Sequence, residues 1–142
     1  MSFAQYIYST TCTDQMTDEK AVLISVKSIE VCARLGLTGR VFSTRSHALA
    51  VTEGPPDIVE HYYQAIASDY LVATALLHTK QMVRTREFED YSVWLDIGTP
   101  FGPHPHVHQM TPQSLANAMP PRPSARLRIM VDALFDDGRL VA

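Results

Sequence analysis

The alternation of apolar and polar positions divides the first two-thirds of the chain into short strands and two helices. Residues 3–9, FAQYIYS, gather Tyr6, Ile7 and Tyr8 into an aromatic and β-branched run that predicts a first strand. Thr17 follows as an N-cap, with Asp18 and Glu19 in the first turn, where carboxylates suit the helix dipole. Val22, Val26, Ile29 and Ala33 then recur at steps of four, three and four, an amphipathic helix that Gly36 stops. Thr38 to Thr44 and His47 to Thr52 predict two strands joined at Arg45-Ser46, a hairpin without an Asn-Gly turn. Gly54-Pro55-Pro56-Asp57 is punctuation before a second helix carrying Ile58, Val59, Tyr62, Tyr63 and Ile66, which ends near Ser68-Asp69. Val72 to His78 is a fourth apolar run. Ser92 to Ile97 is a fifth, alternating Val93, Leu95 and Ile97 with polar positions, and the charged stretch Lys80 to Asp90 joins the two. The order β-α-β-β-α-β plus one strand predicts an α+β, ferredoxin-like fold: a mixed sheet with both helices on one face.

The pattern changes at Gly98. Between there and Pro123 fall seven of the nine prolines, which forbid a long regular element. A short helix is expected from Pro112 to Met119, and a better one from Ser124 to Phe135, with Leu127, Met130, Val131, Leu134 and Phe135 on one stripe. That stripe needs cover, from the open face of the sheet or from a second copy of the chain. The expected division is a domain over residues 1–98 and, over 99–142, a proline-rich connector with a C-terminal helical cap.

Composition narrows the function. With 142 residues the chain suits one domain and can bury a real core. An apolar share of 46% and a charged share of 19% are those of a globular protein. A formal charge of −3 argues against a nucleic-acid binder working through a basic face. Cys12 and Cys32 are the two cysteines, too few for a disulfide scaffold or a four-cysteine zinc site. The opening segment has no basic region ahead of an apolar run, and no stretch reaches 18 consecutive apolar residues, so the expectation is a cytoplasmic protein without a membrane anchor.

Five short pieces then stand in a telling order. They are Tyr8 in the first strand, Ala33 to Gly39 (ARLGLTG) closing the first helix, Glu53-Gly54-Pro55 before the second, Ile66 and Asp69 at its end, and Arg86-Glu87-Phe88 with Tyr91 ahead of the fifth strand. In this order and spacing, from about residue 3 to 97, the chain resembles the BLUF domain, a sensor of blue light that uses FAD. The resemblance implies a flavin ring held between the two helices over the sheet. It also implies a strand-one tyrosine giving an electron and a proton toward the flavin, a strand-three glutamine whose amide exchanges hydrogen bonds, and an asparagine on the first helix holding a flavin carbonyl. Strand five, with a tryptophan and a methionine, passes the change outward.

The positions matching that flavin pocket are Tyr8, Cys32, Arg34, Ala50, Tyr91 and Val93. Tyr8 keeps the tyrosine, Cys32 replaces the asparagine and Ala50 replaces the glutamine. Tyr91 and Val93 stand for the tryptophan and the methionine, while Ala48, Thr52 and Val72 replace a phenylalanine, a leucine and a histidine. Alanine has neither donor nor acceptor, and a thiol is a weak donor where an amide makes two bonds. Three such losses sum to about 3–6 kcal/mol, or about two to four powers of ten in flavin affinity. FAD, though implied by the family, is therefore expected to bind poorly or not at all.

Other chemistry is thinly supported. Cys32, in the last turn of an apolar helix, reads as a small core residue rather than a redox thiol. His104, His106 and His108 in FGPHPHVHQ would share one side of an extended segment and could face a transition metal, but no fourth ligand is near and the two prolines alone keep the segment extended. A surface loop is the expectation there. His61 and His78 lack an elbow serine, the six glycines form no phosphate loop, and Thr10 to Thr17 carries no arginine for an acylphosphatase-type anion loop. The expected role is a non-enzymatic, BLUF-like regulatory module that binds a protein partner, as a homo-oligomer, with its light chemistry reduced or lost. A working FAD photoreceptor is the alternative, and a metal-responsive module the third reading.

Overall fold

The computed structural model describes residues 2–111 together with Ser114, Ala118, Met119, Arg128, Phe135–Asp136 and Arg139–Leu140. Within them run β1 (Phe3–Cys12), α1 (Asp18–Leu35), β2 (Thr38–Thr44), β3 (His47–Gly54), α2 (Pro56–Ala67), β4 (Val72–Val83), β5 (Tyr91–Asp96) and β6 (Val107–Gln109). Two-residue strands β7 (Phe135–Asp136) and β8 (Arg139–Leu140) pair with each other. The main sheet has the order β4-β1-β3-β2-β5-β6. Its β4-β1-β3-β2 part is antiparallel throughout, whereas β5 and β6 join in parallel, which makes the sheet mixed as expected.

The helix signals act where the sequence places them. Thr17 Oγ1 accepts the Lys20 N–H at 3.1 Å, and Gly36 turns the chain out of α1 at φ 72°, a left-handed conformation that favours glycine. Leu37 N–H returns to the Cys32 carbonyl at 2.9 Å, so the last turn is closed. Gly39 is required for a different reason: a Cβ there would lie 1.9 Å from the Val51 carbonyl oxygen, at a φ of 156°.

Several strand ends lie beyond their apolar runs. β1 continues to Cys12 and β3 to Gly54, and β4 takes in Lys80 to Val83, the start of the charged stretch read as a connector. Pairing explains this: Phe3 to Tyr6 of β1 lie opposite Val83 to Lys80, so backbone hydrogen bonding carries the strand past its apolar part. A further correction is β6, a three-residue strand in the proline-rich segment. It attaches to the outer edge of β5, where Val93 N–H donates to the His106 carbonyl and Met110 N–H to that of Leu95, both at 2.8 Å.

Side-chain alternation splits the core in two. Tyr6, Tyr8, Ala50 and Val93 face the helices and pack with Ile29, Cys32, Val59, Tyr62 and Tyr63. Ile7, Phe42, Leu49, Val51 and Trp94 point the other way and are covered by Phe88, Met110 and Ala118. The expected tail helices fall largely outside the described residues. Ser114, Ala118 and Arg128 are helical, but Phe135, expected as the last residue of a helix, is paired as strand with Leu140.

Candidate functional site

Between α1 and α2, over the helix-facing side of the sheet, lies a cavity of about 140 Å³. Its floor comes from alternate residues of the strands: Tyr8 and Thr10 of β1, Ala48 and Ala50 of β3, Val41 of β2 and Val93 of β5. Ile24 and Ser25 of α1 and Tyr62 and Ile66 of α2 form the walls, and the exposed Arg45 and Asp69 stand among the rim residues. The register sets Tyr8 directly across from Ala50. With a methyl group opposite, the Tyr8 hydroxyl pairs with Thr52 Oγ1 at 3.2 Å, two residues further along β3.

Aromatic rings crowd this end of the core. Tyr8 meets Tyr63 edge-on with ring centres 4.9 Å apart, and Tyr62 meets Tyr91 at 6.5 Å. Burial drives the Tyr8 phenol well above its ordinary range, and Tyr62 and Tyr91 rise for the same first reason, so all three stay protonated at neutral pH. Cys32 is wholly buried against Tyr62 and Tyr91, and burial pushes its thiol up to about 11. Burial thus favours the protonated thiol over the thiolate that nucleophilic or metal-binding chemistry uses.

Of the six positions matching a flavin pocket, Tyr8, Ala50, Tyr91 and Val93 line the cavity, Cys32 lies buried beside Tyr62 and Tyr91, and Arg34 is exposed on the last turn of α1. The three histidines do not converge. A turn at Pro105-His106 breaks the extended alternation on which one-sided presentation depended. His104 Nδ1 accepts the His106 backbone N–H, the His106 ring sits by Ser92 and Asp90, and the His108 ring packs on Trp94 with centres 4.7 Å apart. No cluster of three or more His, Cys, Asp or Glu among the described residues is placed to hold a metal ion.

Two arrangements escaped the sequence reading. Ser9 Oγ lies 2.7 Å from His78 Nε2, a pair joined across β1 and β4 and therefore not adjacent in sequence. Glu53, fully buried, accepts four hydrogen bonds: from Gln5 Nε2 and Thr38 Oγ1 on the flanking strands, and from the backbone N–H groups of Glu87 and Phe88. Arg86 adds a bond to the Gly36 carbonyl at 2.8 Å. The Leu-Thr-Gly, Glu-Gly-Pro and Arg-Glu-Phe pieces thus form one clasp that fixes the β4–β5 connector to the end of the sheet. The available signal was a glutamate and a glutamine at strand positions where apolar residues are usual.

The sequence profile of the family described as BLUF, "Sensors of blue-light using FAD", matches residues 3–94. The chain belongs to the BLUF family. Among solved structures, the BLUF protein BlrB in its dark state is 20% identical and overlaps 68% of this chain and 73% of its own, with a TM-score of 0.57. The BLUF structure of BlrP1 is 13% identical over 100% of this chain and 96% of its own, with a TM-score of 0.73. Klebsiella pneumoniae BlrP1 in a calcium and cyclic-diGMP complex is matched over 93% of this chain but 33% of its own, at 16% identity and a TM-score of 0.70. At such identities the likeness speaks for the BLUF fold alone. No curated protein matches the chain. BLUF domains are light-sensing modules, and among the described residues of this one no helix is long and apolar enough to cross a membrane.

Proposed function

We propose that this BLUF domain is a regulatory module acting through a protein partner, as an oligomer, without the amide-based photocycle of its family. The observation that carries the reading is the pairing of Tyr8 with Ala50. The position from which a glutamine amide would reach both the tyrosine and a flavin holds a methyl group, and the Tyr8 hydroxyl is bonded to Thr52 instead. Among the described residues that line the cavity, none carries a carboxamide. Its volume of about 140 Å³ is also small beside the roughly 300–1,000 Å³ of sites that hold cofactor-sized ligands. An isoalloxazine placed there would leave buried polar atoms unpaired, at about 1–3 kcal/mol each. The residues present therefore do not fit the flavin.

A route from cavity to surface supports the regulatory part. Val93 lies in the cavity floor, and its backbone N–H holds the His106 carbonyl next to β6. A displacement of β5 is therefore delivered to the strand from which the C-terminal segment departs. The alternative, a working FAD photoreceptor, is favoured by one fact: the cavity lies between the helices with Tyr8 in its floor. Visible absorbance of the purified full-length chain, alone and titrated with FAD, decides between them. The expected protein is colourless and takes up no FAD. A yellow protein whose flavin band shifts reversibly to the red under blue light overturns the proposal.

A further inference from the structure

The cavity is too small for three fused rings, yet it is not filled by side chains, and its walls have a definite chemistry. We propose that it is a binding site for a neutral, single-ring aromatic molecule of benzene-to-phenol size. The inference rests on the reading that this pocket does not hold a flavin.

Size is the first argument. A volume of about 140 Å³ is close to that of apolar protein cavities of about 150 Å³ that stay dry and take up benzene. Polarity is the second. Three of the hydroxyls at the cavity have partners inside the protein: Tyr8 with Thr52, Ser25 donating to the Ala21 carbonyl at 2.7 Å, and Ser43 donating to the Thr44 carbonyl at 2.7 Å. A water needs two to four polar partners to be held in a cavity, and these three groups already spend a hydrogen bond within the protein. Shape is the third. Ala48 and Ala50 make the floor low beside Tyr8, and the rings of Tyr8, Tyr62 and Tyr91 line the same space, so a flat guest meets aromatic side chains in the geometries that aromatic pairs prefer. Charge is the last. The two charged side chains of the lining, Arg45 and Asp69, are exposed at the rim, and Arg45 pairs with Asp18 at 3.3 Å, so an ionised guest on the apolar floor is left without a buried partner.

The test uses the full-length chain and benzene as the probe, followed by amide chemical shifts in NMR. Saturable shifts confined to residues around Ala48, Ala50 and Ile24 are expected. Ala50→Leu fills the floor and is expected to weaken benzene binding by about tenfold or more. Ala50 is buried, so Ala48→Leu, at a half-buried position of the same floor, serves as a second variant should the first fail to fold. Absence of saturable shifts, or binding undiminished in whichever variants fold, overturns the inference. The two readings fail distinguishably. Uptake of FAD by the unmodified chain overturns the proposed function and this inference with it, whereas refusal of both FAD and benzene overturns this inference alone.

Discussion

Glu53 is the residue on which most depends for its size. Its carboxylate is fully buried and accepts two backbone N–H groups, an amide and a hydroxyl from three separate parts of the chain. Charge-assisted bonds of this kind are individually strong, and removing the acceptor strands four donors in the interior. Glu53→Ala is accordingly expected to lower stability by about 3–5 kcal/mol in chemical denaturation. A loss below about 1 kcal/mol would mean that water reaches these donors without help. The cavity residues act by the opposite principle. Ala50 brings a methyl group and Cys32 a buried thiol to this part of the interior, which is apolar as a result. Tyr8 illustrates the result, since its hydroxyl is bonded to Thr52 and its ring edge to Tyr63.

Among the elements, β2 is held most tightly by a single atom's absence. Gly39 packs its backbone so closely on β3 that a methyl group would overlap the Val51 carbonyl, while its N–H donates to Asp90 at 2.9 Å. Gly39→Ala is expected to cost about 3 kcal/mol or more, read as a fall in the thermal midpoint, because both the contact and the positive φ oppose it. The ends of helix α1 were legible in the chain, because a threonine cap and a stopping glycine are local features; its face was read one step off, since Ala21, Ser25, Ile29 and Cys32 are buried whereas Ala33 of the expected Val22-Val26-Ile29-Ala33 stripe is exposed. The ends of β1 and β4 were not legible, because Thr10 to Cys12 and Lys80 to Val83 carry no apolar period and are extended only through their partners. β6 was hidden for a similar reason. Three residues among prolines become a strand only when the free edge of β5 is beside them. At the site, Tyr8, Ala50 and Val93 could be placed by alternation and by family resemblance. The Glu53 clasp and the dispersal of His104, His106 and His108 depend on a turn and a connector whose paths no periodicity reveals.

At the scale of the molecule, one sheet serves two cores, with the helices on one side and Trp94, Phe42 and Phe88 on the other. Strands β1, β2, β3 and β5 contribute alternate residues to both, so neither core can dissolve without the other. Urea unfolding followed by the fluorescence of Trp94, the chain's one tryptophan, is therefore expected to coincide with loss of helix by far-ultraviolet circular dichroism. Transitions separated beyond error would show that the helical layer detaches first. The cavity has a corresponding dependence on the whole. Its boundary is drawn from Tyr8 of the first strand to Val93 of the fifth, with contributions from each of β1 to β5 and from both helices. During synthesis, no partial chain short of the fifth strand can enclose a guest. Whatever occupies this space therefore recognises only the finished molecule, and by mass action deepens the preference for that finished state over every precursor.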